Sequence, residues 1–211
     1  MPRKPAHEQF DTLQAIQDHA FELFGRFGYE GVSIGDIAKA AKLSKGALYW
    51  HFRGKAELYL DCQARLHALF NQYIFAPMKA SADPVAGTIL MFRGLEQLSR
   101  DARMEKGVAG YWLVPSSSET EPLFKAQRQF ELDSQATIRD VLERGMAQGR
   151  FDLAGDLEDM SRAIISLIEA VVLPMRHMAT SDVHRMMAVL ARTLFRAYAK
   201  GDELRELARS F

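Results

Sequence analysis

Ser33 and Ser44 open two helices inside one short stretch, SIGDIAKAAKLSKGALYWHF, so each helix has room for only about two turns. Ser33-Ile34-Gly35-Asp36 has the capping-box pattern, with Asp in place of Glu at the third helical position. Ile34, Ile37, Ala38 and Ala41 then recur at the spacing of one helical face. Lys42 and Leu43 make the turn, and Ser44 supplies the second N-cap. In the second helix Leu48 and Phe52 share a face, while Lys45, Ala47, Tyr49 and His51 point elsewhere. Two capped helices joined by so tight a turn suit a helix-turn-helix, whose second helix lies in the DNA major groove.

Charge agrees with that reading. The chain of 211 residues has no net charge, with 27 basic and 27 acidic side chains, so affinity for nucleic acid must come from a local patch. Lys39, Lys42, Lys45, Arg53 and Lys55 supply one between Ile37 and Ala56, where no acidic residue falls. The bland alternative is a solvated helical hairpin with chance lysines, but caps, turn, small residues and charge coincide in one segment.

The segment FELFGRFGYEGVSIGDIAKAAKLSKGALYWHFRGKAEL resembles the N-terminal DNA-binding domain of the tetracycline-repressor (TetR) family. The resemblance is carried by Leu23-Phe24, Gly28-Tyr29, Val32-Ser33, Ile37-Ala38, Ala41, Leu43-Ser44, Gly46, Leu48-Tyr49, His51-Phe52 and Lys55 through Leu58. It covers roughly residues 10 to 60. Val32 and Ala56 depart from the family pattern, and neither removes a group that DNA binding depends on. The resemblance implies an all-α fold of about nine helices, with a helix-turn-helix domain over residues 1–54 and a ligand-binding and dimerisation domain over 55–211.

Helical signals dominate the whole chain. A first helix is expected from about Phe10 to Phe27, with Leu13, Ile16, Ala20, Phe24 and Phe27 on one stripe and Gly28 ending it. A fourth should run from near Lys55 to Phe75, stopped by Pro77. Asp83-Pro84 opens a helix to about Ser99, and a short one covers Met104 to Leu113. Pro115 to Pro122 reads as a polar loop. Long helices follow over 122–148 and from about 155–159 to Met178, then one capped by Thr180-Ser181-Asp182 that runs to Lys200. The lone Cys62 excludes an intrachain disulfide and reads as a small buried hydrophobe. With no signal-peptide pattern and no stretch apolar enough to span a bilayer, a cytoplasmic location without a membrane partner is expected.

By resemblance to the family, Ser33, Lys45, Gly46, Ala47, Tyr49, Trp50, His51 and Lys55 face double-stranded operator DNA, with Ser44 opening the reading helix. Lys45 has the reach for guanine O6/N7 or a phosphate. Gly46 lets the backbone come close, Ala47 suits a thymine methyl, and Tyr49 and His51 suit phosphates. Trp50 either stacks on a sugar or base edge or packs against the first helix. Lys55 and Ser33 stand at helix N-termini, which favour phosphate.

Phe70, Tyr73, Met91, Phe92, Tyr111, Trp112, Phe124, Gln127 and His177 are the candidate contacts for a small hydrophobic or aromatic effector, although plain helical core is the commoner fate of such residues. Ile164, Leu167, Ile168, Val171, Val183, Met187, Leu190 and Leu194 repeat at helical spacing and suit a homodimer interface or a narrow intramolecular core. No cofactor is expected: the six histidines make no metal-binding spacing, and no phosphate-binding or nucleophile motif is present. A helical enzyme is therefore a weak alternative. A DNA-binding regulator controlled by a protein partner, with no small-molecule effector, is a second.

Overall fold

Each expected helix has a counterpart in the computed structural model, which describes residues 6–153, 155–173 and 178–201. The order is α1 (Ala6–Phe27), α2 (Ile34–Ala40), α3 (Lys45–His51), α4 (Lys55–Phe70), a π-helical turn (Asn71–Phe75), α5 (Ala76–Ala80), α6 (Pro84–Ser99), α7 (Ala102–Glu105), a 3-10 turn (Ala109–Trp112), α8 (Glu121–Ala147), α9 (Leu157–Val172) and α10 (Thr180–Tyr198). With α4, the π turn and α5 taken as one unbroken run, nine helices lie among the described residues. The β pairing among them is a single bridge, Phe151 to Ala199.

Packing groups the chain otherwise than the functional division expected at residues 54 and 55. Of the described residues, one compact unit contains those through His67 together with Lys106–Gln127; the other contains Ala68–Glu105 and those from Arg128 onward. The first unit is centred on aromatic rings. Tyr59 of α4 is fully buried, with Phe24 4.8 Å, Tyr29 5.3 Å and Tyr111 5.3 Å from it between ring centroids. Phe24 and Tyr29 meet Tyr59 edge-on and Tyr111 meets it tilted, contacts that add to the burial of the four rings. Tyr111 reaches this core because the 3-10 turn lies backbone to backbone on α1: a Cβ on Gly110 would stand 2.1 Å from the Phe24 carbonyl. The Tyr111 hydroxyl donates to the Phe21 carbonyl at 3.1 Å. Cys62 is buried here, and burial pushes its thiol well up, so it is an inert packing group.

Three expectations are corrected. α1 ends at Phe27 before Gly28 as expected, but Phe27, placed on the buried stripe, is 52% exposed, with the Arg26 guanidinium 5.0 Å from its ring centroid. The short helix expected over 104–113 is broken at Gly107, whose φ is 97°, into α7 and the 3-10 turn. Thr180 begins α10 instead of capping it; Ala179 is the N-cap and supplies no side-chain bond.

The second unit corrects the fourth-helix boundary. Pro77 does not stop the helix but lies in α5. A proline has no N–H and crowds the carbonyl four residues back, here that of Tyr73. The π turn relieves both problems, with the Ala76 N–H donating to the Asn71 carbonyl. The Tyr73 carbonyl faces Gly94 of α6 instead, so closely that a Cβ on Gly94 would stand 2.1 Å from the oxygen. Asp83 caps α6, accepting from the Val85 and Ala86 N–H groups, and buried Met91, Phe92, Leu95 and Leu98 carry the α6 core face. α6 packs against the π turn, α5, α9 and α10. Leu142, Phe151, Leu153, Met160, Ile164 and Phe195 line an apolar cavity of about 40 Å³ in this unit.

Gly94→Ala tests this packing. Helix propensity alone favours alanine, yet the added methyl must displace backbone, so the variant should lose about 1–3 kcal/mol in urea unfolding. An unchanged unfolding midpoint would mean that α6 does not rest on the Tyr73 carbonyl.

Candidate nucleic-acid interface

Local chemistry sets the two short helices at a defined angle. Ser33 and Asp36 close the capping box: the Asp36 N–H donates to Ser33 Oγ at 3.2 Å, and the Ser33 N–H donates to Asp36 Oδ2 at 2.9 Å. The Ser33 bonds hold the Asp36 carboxyl below its usual range, with Lys39 and Lys45 adding to the effect. α2 ends in a Schellman motif, in which the Leu43 N–H donates to the Ala38 carbonyl at 2.8 Å and the Lys42 N–H to that of Lys39 at 3.2 Å. Lys42 takes the left-handed position at a φ of 56°, where glycine is usual. Ser44 then caps α3 by accepting from the Ala47 N–H at 3.2 Å.

One side of α3 is anchored and the other is open. Leu48 is 1% exposed on α3, which packs against α2, where Ile37 and Ala38 are buried, and Phe52 is buried just past the helix. Burial of a leucine side chain contributes about 1.5–3 kcal/mol, enough to fix a two-turn helix that could not stand alone. Ser33, Ser44, Lys45, Gly46, Tyr49 and Trp50 are exposed, while Ala47, His51 and Lys55 are half-buried. Trp50 does not pack into the domain: it is 65% exposed, with its ring edge-on to that of His51 at 4.7 Å. Tyr49 is 56% exposed beside it. Burial holds the His51 imidazole below its ordinary pKa, which favours the neutral ring. A Cβ on Gly46 would meet only Ser44 Oγ, at 3.7 Å. The start of α3 is therefore open to a partner's backbone.

Two lysines lie differently from a simple outward projection. Lys55 folds back, its ammonium donating to the Tyr29 carbonyl at 3.0 Å and lying 4.1 Å from the Tyr29 ring centroid. Tyr29 in turn donates to Glu119 Oε1 at 2.7 Å. Lys45 crosses α2 at Gly35, where a Cβ would stand 2.9 Å from Lys45 Cε. The contacts of Tyr29 with Glu119 and of Lys45 with Gly35 escaped the sequence reading. The one signal available was an isolated glycine inside a helical pattern.

The effector candidates divide between the units. Tyr111, Trp112, Phe124 and Gln127 belong to the first. Tyr111 is core, Phe124 is 42% exposed, and Trp112 Nε1 is buried without an acceptor. Gln127 Oε1 is 2.9 Å from His67 Nε2 and accepts from buried Gln63 at 3.4 Å. Phe70, Tyr73, Met91 and Phe92 belong to the second. Phe70 meets Phe130 at 6.1 Å between centroids, and the Tyr73 hydroxyl donates to Asp101 at 2.9 Å. His177 lies outside the described residues. Of the expected interface residues, Ile164, Ile168, Val171, Val183 and Met187 are buried in the chain's own core, and Leu167, Leu190 and Leu194 are half-buried. That core takes the apolar stripe because α6 lies against both helices. Ala163, Ser166, Ala170, Val189, Thr193 and Ala197 are among the exposed positions on the same two helices.

A family model described as "Bacterial regulatory proteins, tetR family" matches residues 16–62, which span α2, α3 and the flanking helices. The regulator AcrR of Shigella flexneri is 46% identical over 61 residues, and the match spans 29% of this chain and 28% of that relative's length. The regulator TtgR of Pseudomonas putida is 36% identical over 176 residues, 81% of each chain. Among solved structures, NalD of Pseudomonas aeruginosa, the secondary repressor of the MexAB-OprM multidrug efflux pump, superposes with a TM-score of 0.72. Its 20% identity over 91% of this chain and 98% of its own shows a shared fold. With the family model lying over the candidate interface and a relative 36% identical along 81% of both lengths, the chain belongs to the tetR family of bacterial regulatory proteins.

Proposed function

We propose that the protein represses transcription by binding an inverted-repeat operator as a homodimer, and that a small, largely apolar effector releases it. One observation carries the DNA reading. α3 holds Lys45, Gly46, Tyr49 and Trp50 in water on a helix whose opposite side is anchored by Leu48. Exposed aromatics beside a lysine and a bare backbone suit a groove edge with phosphates on either side. Membership of a family of bacterial regulatory proteins stands against the enzyme alternative.

Gly46→Val tests the reading helix. The open space at this position predicts an unchanged melting temperature. Specific DNA binding should vanish, since a branched side chain holds the backbone off the duplex. Sequences enriched by the wild-type protein from a random duplex pool should form an inverted repeat with centres roughly 34–36 Å apart. Enrichment of the same repeat by Gly46→Val would contradict the assignment.

The interface is proposed on the exposed positions of α9 and α10, since the buried apolar stripe serves the intrachain core. Val189 is 54% exposed, so Val189→Arg disturbs a partner surface and spares the fold. Sedimentation should show monomers with wild-type helicity, and an intact dimer would put the interface elsewhere.

The effector reading rests on polar groups buried without partners, Gln63 Oε1 and Trp112 Nε1, which a bound molecule or water satisfies. Linkage then requires that a compound raising the melting temperature also weaken operator binding. Trp112→Ala should reduce the thermal response and leave ligand-free DNA affinity nearly intact. Hydrophobic compounds that stabilise the protein without weakening DNA binding would favour control by a protein partner.

A further inference from the structure

Gly35 is the second residue of α2, a helical position where glycine costs stability relative to alanine. Its φ is not left-handed, so the backbone does not demand glycine there. The space above it explains the residue. A Cβ would stand 2.9 Å from Lys45 Cε, 3.3 Å from Lys45 Nζ and 3.4 Å from Ser33 Oγ. The side chain of the first residue of α3 thus lies in a slot across the start of α2, beside the Ser33–Asp36 capping box. Both lysine atoms lie at the far end of an exposed side chain, so a methyl group at position 35 displaces the lysine from the slot and leaves the backbone undisturbed.

We infer that Gly35 is a positioning residue for DNA reading: its missing Cβ forms the slot that sets the direction in which Lys45 leaves the helix-turn-helix. This rests on the proposed DNA-binding function and adds to it a residue on the first helix of the motif. A lysine has four rotatable bonds, and an unrestrained one loses much of that freedom when it binds. A stem already laid along α2 carries its ammonium on the α2 side of α3, so less freedom is lost on the duplex. Gly46, next in sequence, contributes differently, because the space above it contains no lysine.

The test is a double-mutant cycle with Gly35→Ala and Lys45→Ala, using duplexes enriched by the wild-type protein from a randomised pool. Gly35→Ala should melt at or above the wild-type temperature. Lys45→Ala should weaken binding on the order of tenfold. Gly35→Ala should weaken it several-fold in the same manner, relaxing preference at the same base pair, or lowering the salt slope alike if the contact is a phosphate. The double variant should bind like Lys45→Ala alone, since the glycine acts through the lysine. Losses that add in full would mean that position 35 meets DNA itself, and wild-type binding by Gly35→Ala would mean that the slot has no role; either result overturns the inference while leaving the DNA reading intact. A wild-type protein that enriches no sequence overturns both.

Discussion

The burial of Leu48 is the contact on which the DNA-facing geometry depends. α3 has seven residues, too few to be stable alone, and one well-anchored side chain determines which of its faces meets solvent. Ser44 and the Schellman turn set the axis of the helix, and Leu48 sets its rotation. A rotation that exposed Leu48 would turn Trp50 or Tyr49 inward and cost the helix its buried anchor against α2. The lysine at the left-handed position of the turn is part of the same constraint. Lys42 pays a conformational cost that glycine would not, while adding a positive charge beside the reading helix.

Behind the motif, the aromatic cluster of Phe24, Tyr29, Tyr59 and Tyr111 ties together α1, α4 and the segment that precedes α8. Glycines make this possible where backbones nearly touch, as at Gly110 against Phe24. Lys55 and Glu119 extend the cluster in opposite directions through Tyr29, one from its carbonyl and ring and the other from its hydroxyl. Lys55 therefore has a ready intramolecular site for its charge, and any phosphate contact must compete with that site or share the ammonium's remaining donors.

Much of this was legible in the sequence because it is local. The caps at Ser33, Ser44 and Asp83, the glycine at the end of α1 and the buried spacing of Ile37, Ala38 and Leu48 are short-range features, and they appear where the pattern put them. Long-range packing was not legible. Nothing in the run from Asn71 to Pro77 announces that a π turn will carry the helix past a proline, because the accommodation depends on Gly94, distant in sequence. The stripes of α9 and α10 have the period of an interface and of a core alike, and only their packing with α6 shows that the core uses them. The aromatic residues suggested a pocket by composition, but Tyr111 is occupied by Phe21 and Tyr59, and Tyr73 by Asp101. Trp50 was open between two fates, and with Leu48 and Phe52 taking the buried side it is left in water.

The central claim is that the exposed side of α3 enters DNA, and Trp50 reports on it directly. The chain has two tryptophans, so Trp112→Phe leaves Trp50 as the sole indole emitter. Its quenching by acrylamide should be efficient in the free protein, as its 65% exposure requires. On a duplex enriched by the protein, with complex formation followed independently by the anisotropy of labelled DNA, the account predicts altered emission and strong protection from the quencher. A saturated complex in which Trp50 remains as accessible as in the free protein would contradict it.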